Sequence, residues 1–430
     1  MRSSKIVLAT VLLTFAAAGN ALAFHEGGVA YCDGCHTMHN SSGNAKMTVN
    51  NLAPGTGNAF LLQGSDQSST CLKCHSGSTT SSYKVATNPV PAAGAAPVQF
   101  TPGGDFSWLQ KTFNATVRGK LVTSAGERHG HNVIANDFGY VADAKLTTAP
   151  GGAYPATNLT CSSCHDPHGK YRIMDAAGTT VAVTGKPINA SGSYGQLPTA
   201  TEAVGVYRLL AGAGYQPVSV LGNFGFANQS PIAVAPSTYN RTEDATETRV
   251  AYGQGMSEWC GNCHAGLHNV NYPTSLIHPA GNGAKFSATI VNNYNSYKAS
   301  GDLTGTVATS YSSMVPYEEG TTDLATLAAN AVNDGTKTQG MSTSNNVMCL
   351  SCHRAHATGW DSMTRWNNKA DFLTVAGMYP GSDATDLEAA DPGTHGGRTQ
   401  AEVKATFYNK PATAYATFQR SLCNKCHAKD

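Results

Sequence analysis

Residues 24–42 read FHEGGVAYCDGCHTMHNSS, and the run from Cys32 through Cys35 to His36 inside them decides the fold. Two thiols three positions apart on one turn reach the two vinyl groups of a single porphyrin. The histidine after the second thiol then lies under the iron, so C-x-x-C-H is the attachment signature of haem c. The pattern returns at Cys71, Cys74 and His75, at Cys161, Cys164 and His165, and at Cys260, Cys263 and His264. It returns again at Cys349, Cys352 and His353, and at Cys423, Cys426 and His427. The six motifs take all 12 cysteines, leaving none for a disulfide. A structural zinc site or a disulfide framework needs no histidine after every cysteine pair. The reading is six covalently bound haem c groups, each iron held by its motif's histidine.

Beyond the six proximal histidines, nine of the 15 remain: His25, His39, His129, His131, His168, His268, His278, His356 and His395. Six irons need at most six more ligands, so every one can be bis-histidine. His39, His168 and His356 each lie three residues after a proximal histidine, in CHTMH, CHDPH and CHRAH, and His268 lies four after, in CHAGLH. A residue at that offset shares a helical face with the proximal ligand. It cannot reach the far side of its own porphyrin, but it can reach a neighbouring one. His131, His278 and His25 complete the candidate set of distal ligands. His129 and His395, in polar Gly-rich stretches, read as solvated. The methionines show no pattern relative to the motifs, and only Met38, inside the first motif's tail, is an alternative ligand to weigh. Bis-histidine iron has a low potential and no vacant position, which suits electron transfer rather than catalysis at the metal.

The rest of the chain agrees. Charged residues are 13% of the total and the net charge is +1, which leaves no basic field for nucleic acid. Arg2 and Lys5, the apolar run Ile6–Ala18 and the small residues at Ala21 and Ala23 form a secretory signal over residues 1–23. That run is too short to span a bilayer, and none like it recurs. Residues 24–430 read as one hexahaem body, the fold class being a multihaem cytochrome c of mostly coil and turns. Helical or strand periodicity is weak, and Gly, Pro, Ser and Thr crowd stretches such as 89–102, 147–155 and 231–238. Short helices are expected at each motif, over 324–332 and around 399–408, with a short hairpin near 179–183. Loops this long need a core from elsewhere, and six large flat porphyrins supply it. The intervals between motifs are uneven, so no tandem repeat is expected. So many haems in 430 residues cannot avoid one another, and a continuous stack is the natural arrangement.

The first motif lies near the start of the mature chain and the last near its end. Termini usually lie at the surface. A haem at each end would let head-to-tail contact between copies continue the stack, and such a contact does not close on itself. His39 is the candidate to bridge two copies, although from the residues alone it can equally ligate within its own chain.

The segments FHEGGVAYCDGCHTMHNS, CSSCHDPHGKYR, APSTYNRTE, RVAYGQGMSEWCGNCH, HPAGNGAKF, CLSCHRAHATGWDSMTR and LCNKCHAKD are similar to those of the outer-surface hexahaem cytochromes of metal-reducing bacteria. The resemblance spans essentially the whole mature chain. It implies a secreted head-to-tail homopolymer, a cytochrome nanowire with all-bis-histidine haems and little regular structure. It also implies that His39 ligates the fifth haem of the adjacent subunit. The expected role is electron transfer to external acceptors (metal oxides, electrodes, partner cells) and other cytochromes. A monomeric periplasmic shuttle is the alternative, and a multihaem reductase a more distant one. Departures fall mainly in the loops at 75–96 and 380–407.

Overall fold

The computed structural model describes residues 32–37, 39, 41–42, 45–46, 59–79, 84–168, 172–173, 180–181, 197–220, 224–236, 249–268, 279–310, 312, 314–332 and 340–429. The signal segment, His25, His278 and Met38 lie outside them. Coil and turns predominate. Among the described residues the longest helices, Gln67–His75 and Ala288–Ser296, have nine residues each, and every sheet is a small antiparallel pairing of two or three strands. None of the helices is long and apolar enough to cross a membrane among the described residues.

Side-chain caps explain why such short helices form. Asp66 accepts from the Ser69 amide at the head of Gln67–His75. Thr399 and Glu402 form a reciprocal capping box on Gln400–Thr406, and Asp323 caps Leu324–Asn330. Both helices lie where the sequence pattern puts them. The segment 89–102 is irregular, as expected, and is held from beneath. Lys111 donates its Nζ to the carbonyls of Ala92 (3.1 Å) and Ala95 (2.9 Å) and pairs with Glu402 at 2.9 Å. One expectation changes. Ile232–Val234, inside a stretch read as loop, is a buried strand paired with Ala251–Gln254, because its apolar run outweighs the flanking prolines. Thr180–Val181 pairs antiparallel with Arg172–Ile173, so the short hairpin expected near 179–183 is present.

The motifs fall into two alternating backbone types. In the first, third and fifth, the proximal histidine forms an antiparallel bridge with a strap elsewhere in the chain: His36 with Leu62, His165 with Leu210, His353 with Thr364. Each strap enters its bridge through two successive left-handed residues. They are Phe60 and Leu61 (φ 56° and 54°), Arg208 and Leu209 (51° and 54°), and Ser362 and Met363 (57° and 59°). Left-handed backbone costs about 1–2 kcal/mol for each such residue. The same two backbone bonds hold it each time: Thr37 to Leu61 and Gln63 to Cys35, Asp166 to Leu209 and Ala211 to Cys164, Arg354 to Met363 and Arg365 to Cys352. The first motif also lies on a helix, Cys32–Cys35; the second, fourth and sixth lie on the short helices Gln67–His75, Met256–Cys260 and Asn424–His427 or at their ends, and among the described residues their histidines form no such bridge.

Candidate haem sites

The strained straps have a chemical consequence. The first left-handed residue of each turns its carbonyl to the proximal imidazole. His36 Nδ1 lies 2.9 Å from Phe60 O, His165 Nδ1 2.7 Å from Arg208 O, and His353 Nδ1 2.8 Å from Ser362 O. In the fourth motif Pro150 O serves His264 at 2.8 Å. A proton held on Nδ1 by a carbonyl leaves Nε2 with its lone pair, which is the tautomer a metal requires. Burial also acts on several of the histidines. It pushes His165 and His353 below the ordinary histidine range, His131 down to about 4 and His356 down to about 3.

Three pairs of rings then face each other. His36 and His168 are 6.2 Å apart between centres, His165 and His356 6.3 Å, and His131 and His264 6.0 Å. Two metal–imidazole bonds of about 2 Å each, plus the distance from each Nε2 to its ring centre, amount to roughly 6 Å. Each pair therefore has space for one metal atom between two imidazoles, and one imidazole of each pair directly follows its motif's second cysteine. The 12 cysteines are all unbridged, as thioether anchors must be. The residues present fit haem c.

The pairs also have an order. His168, in the third motif, faces the histidine of the first. His356, in the fifth, faces the histidine of the third. His131, from a loop, faces that of the fourth, and Ala355 O fixes its Nδ1 at 2.6 Å. Gly103 makes room for His356, since a Cβ there would lie 2.8 Å from the ring's Nδ1. Adjacent motifs meet at their first cysteines: Cys71 lies beside Cys161, and Cys260 beside Cys349. A serine three positions before the even-numbered motif's first cysteine accepts the amide of the next one. Cys161 donates to Ser68 Oγ at 2.9 Å and Cys349 to Ser257 Oγ at 3.0 Å.

His39 is exposed. His268 turns to Glu258, with Nε2 3.5 Å from Oε1. His129 and His395 are buried, at 0% and 3% exposure, and not solvated as their polar surroundings suggested. Their nitrogens are already engaged. His129 bonds Trp108 O and Ser124 Oγ, and His395 bonds Ala390 O and the Gly397 amide. Gly-rich polar sequence here marks tight packing. The straps were missed altogether: they lie 24, 43 and nine residues from their histidines, so no fixed spacing reveals them.

No family model matches the chain. The C-type cytochrome OmcS of Geobacter sulfurreducens is 56% identical to it over 439 aligned residues, which cover 100% of this chain and 99% of the relative. Two solved structures are similar over 95% of this chain and 100% of theirs, each 56% identical. They are the OmcS nanowires of Geobacter sulfurreducens by cryo-electron microscopy, with a TM-score of 0.87, and the Outer Membrane Cytochrome S filament of the same organism, at 0.86. With paired imidazoles, unbridged cysteines and end-to-end identity in agreement, the chain belongs to the family of the C-type cytochrome OmcS, electron carriers with covalently bound haem.

Proposed function

We propose that this chain carries six haem c groups, all bis-histidine, and is the protomer of an extracellular filament that conducts electrons to external acceptors. The supporting observation is the two-motif step: His168 faces His36, and His356 faces His165. The next member of that series, for His353, is a CHxxH histidine two motifs further on. No such motif follows within the chain, but the first motif of a second copy supplies His39. On this reading His75 and His427 draw their distal ligands from His25, His268 and His278. The contact of first cysteines, at Cys71 with Cys161 and Cys260 with Cys349, extends in the same way to Cys423 and Cys32 of the next copy. Cys423 opens on a cleft lined by Asp371, Arg420 and Lys429, and Cys32 is exposed.

The chemistry a bound haem supplies is one-electron exchange at iron. Carbonyl bonds to Nδ1 hold His36, His131, His165, His264 and His353 in the tautomer that leaves Nε2 for a metal, and with a histidine on each side the iron would keep no open position for substrate. On export the leader 1–23 is removed and residues 24–430 form one haem-lined body. Electron microscopy of the secreted protein tests the filament. Long fibres with a low-spin spectrum are expected; discrete particles at the same concentration would leave a diffusing shuttle instead. A high-spin resting spectrum would return an enzyme to consideration.

A further inference from the structure

Four buried side-chain atoms with no hydrogen-bond partner gather between the fourth and fifth motifs: Glu318 Oε2, Asn346 Oδ1, Glu258 Oε2 and His268 Nε2. Three are oxygens that can only accept unless something protonates them. Glu318 is 0% exposed and Asn346 1%. The two are antiparallel bridge partners that exchange both backbone bonds, at 3.0 and 2.9 Å. Residues so paired project their side chains to one face, about 5.5 Å apart at the backbone. Glu318 Oε1 accepts the Met256 amide at 2.8 Å, at the head of the helix that carries Cys260. The Pro316 carbonyl, two residues before Glu318, accepts from Ser351 Oγ of the fifth motif at 2.6 Å. Glu318 thus stands at the junction where Cys260 meets Cys349.

A buried acceptor with no donor in reach is unfavourable by about 1–3 kcal/mol unless a proton or a cation supplies the missing bond. We propose that Glu318 is a proton-binding site linked to the redox state of the haems on the fourth and fifth motifs, its Oε2–H donating to Asn346 Oδ1. The inference rests on the six-haem reading. As one electron reaches a neighbouring ferric iron from the preceding haem, Glu318 takes one proton from water onto Oε2. When the electron leaves, the proton returns to water.

The groups facing Glu318 are Glu258 on the Met256–Cys260 helix, Lys285 on the adjoining loop, Tyr252 on the neighbouring strand and Cys349, whose sulfur is a thioether once haem is attached. Next to it in the chain, Glu319 is paired with Arg249. Burial first, with Glu258 adding to it, pushes the Glu318 carboxyl up to about 8, against the pull of the Met256 amide and Lys285. Well below that pH the acid is protonated in both redox states and the potentials are flat. Well above it the acid is ionised in both, and they are flat again. Between these limits the potential of a coupled haem falls as pH rises, at most about 59 mV per tenfold drop in proton concentration.

Redox titration of the purified haem-loaded protein on both sides of that window tests this, with Glu318→Gln beside the parent. The amide keeps the shape and brings its own donor for Asn346. The expected result is a pH-dependent component in the parent that disappears in E318Q, with haem content unchanged. Equal pH dependence in both proteins overturns the inference and leaves the haem reading intact, whereas a haem count other than six overturns the reading beneath it. If E318Q does not accumulate, redox-difference infrared spectra of the parent decide. A protonated carboxylic-acid band that changes on reduction supports the proposal, and its absence refutes it. Elemental analysis gives the third arm: a stoichiometric metal lost in E318Q would put a cation, not a proton, between the two oxygens.

Discussion

The strap over His165 and the strap over His36 follow the same backbone path, but only one of them is covered. In the third motif Arg208 and Leu209 are half-buried and Leu210 is 8% exposed, packed with Tyr207, Tyr252 and Met348. In the first motif the corresponding Phe60 and Leu61 are 61% and 46% exposed. Strain is tolerated where surroundings over-determine it. The third strap has those surroundings inside the chain. The first has the same left-handed pair, the same bridge and the same bond to its imidazole, with two large apolar side chains in water. An adjacent apolar pair at the edge of a built site marks a surface that a partner covers. On the proposed reading that partner is the sixth-motif end of another copy.

The sharpest way to break this contrast is to place a charge at each strap. Leu210→Asp buries an unpaired carboxylate among aromatic rings, with an expected loss of about 3–5 kcal/mol. Cells should yield little soluble haem protein. Phe60→Asp places the same charge where water already reaches, so haem content and spectrum should match the parent while fibres disappear from micrographs. Fibres of parental length from Phe60→Asp would mean that the first strap is simply exposed, and the contrast would lose its meaning.

Next in size is His39→Ala. If this histidine completes the set at His353 of a neighbour, its loss removes one of 12 axial ligands per protomer. About a sixth of the haem should turn high-spin in the visible and resonance Raman spectra, with fibres lost or shortened. His168→Ala is the internal counterpart. It should give a similar high-spin fraction with fibres retained, because its partner His36 lies in the same chain. Identical effects on assembly from the two variants would place His39 within its own protomer.

The fifth strap offers a comparison in acid. Asp361 precedes Ser362 and receives Lys369 at 2.5 Å, Ser124 Oγ at 2.5 Å and Arg128 at 3.1 Å. Burial alone would raise its carboxyl, but the Lys369 and Ser124 bonds and the Arg128 charge hold it below the usual value of 3.8. A carboxyl depressed in the folded state adds stability above its unfolded pKa, and that stability is lost as pH falls through the folded one. Asp361→Asn should therefore cost about 1.5–3 kcal/mol near neutrality and progressively less below about pH 4. Urea melts at several pH values measure this. A cost that does not shrink in acid would mean that packing, not charge, is what Asp361 contributes.

The haem attachments were legible because covalent chemistry permits one spacing. Six C-x-x-C-H runs need no fold to be recognised, and CHxxH at three of them announces ligands for neighbours. Which histidine faces which was not legible. His131 meets His264 from 133 positions away in the chain because His131 bonds Ala355 O and Pro150 O bonds His264, contacts between distant loops that leave no periodicity. The alternation of motif types was hidden for a related reason. What repeats is a backbone conformation, carried by Phe-Leu, Arg-Leu and Ser-Met in turn, and left-handed φ has no side-chain signature when bulky residues adopt it. Composition misled for His129 and His395, whose Gly-rich surroundings serve close packing around Arg398 rather than solvent.

The smallest expected effect probes how far the resemblance between odd-numbered motifs extends. In the third and fifth, a serine two positions after the first cysteine accepts the amide of the residue before it: Thr160 to Ser163 Oγ at 2.9 Å, Met348 to Ser351 Oγ at 3.2 Å. In the first motif that position is Gly34. Ser163 also accepts from the hydroxyl of buried Tyr154 at 2.6 Å, whereas Ser351 donates to Pro316 O at 2.6 Å. Replacing either serine with alanine should cost about 1–2 kcal/mol in denaturant melts. Ser163→Ala should be the milder of the two, because Ser219 Oγ, 3.2 Å from the Tyr154 hydroxyl, remains as its partner. Ser351→Ala has no such substitute in the serine's other bonds, and it loosens the Pro316 segment that leads to Glu318. A larger loss from Ser163→Ala would show that the tyrosine network, and not the shared turn, dominates the third motif, and the odd-numbered motifs would then share a path without sharing what stabilises it.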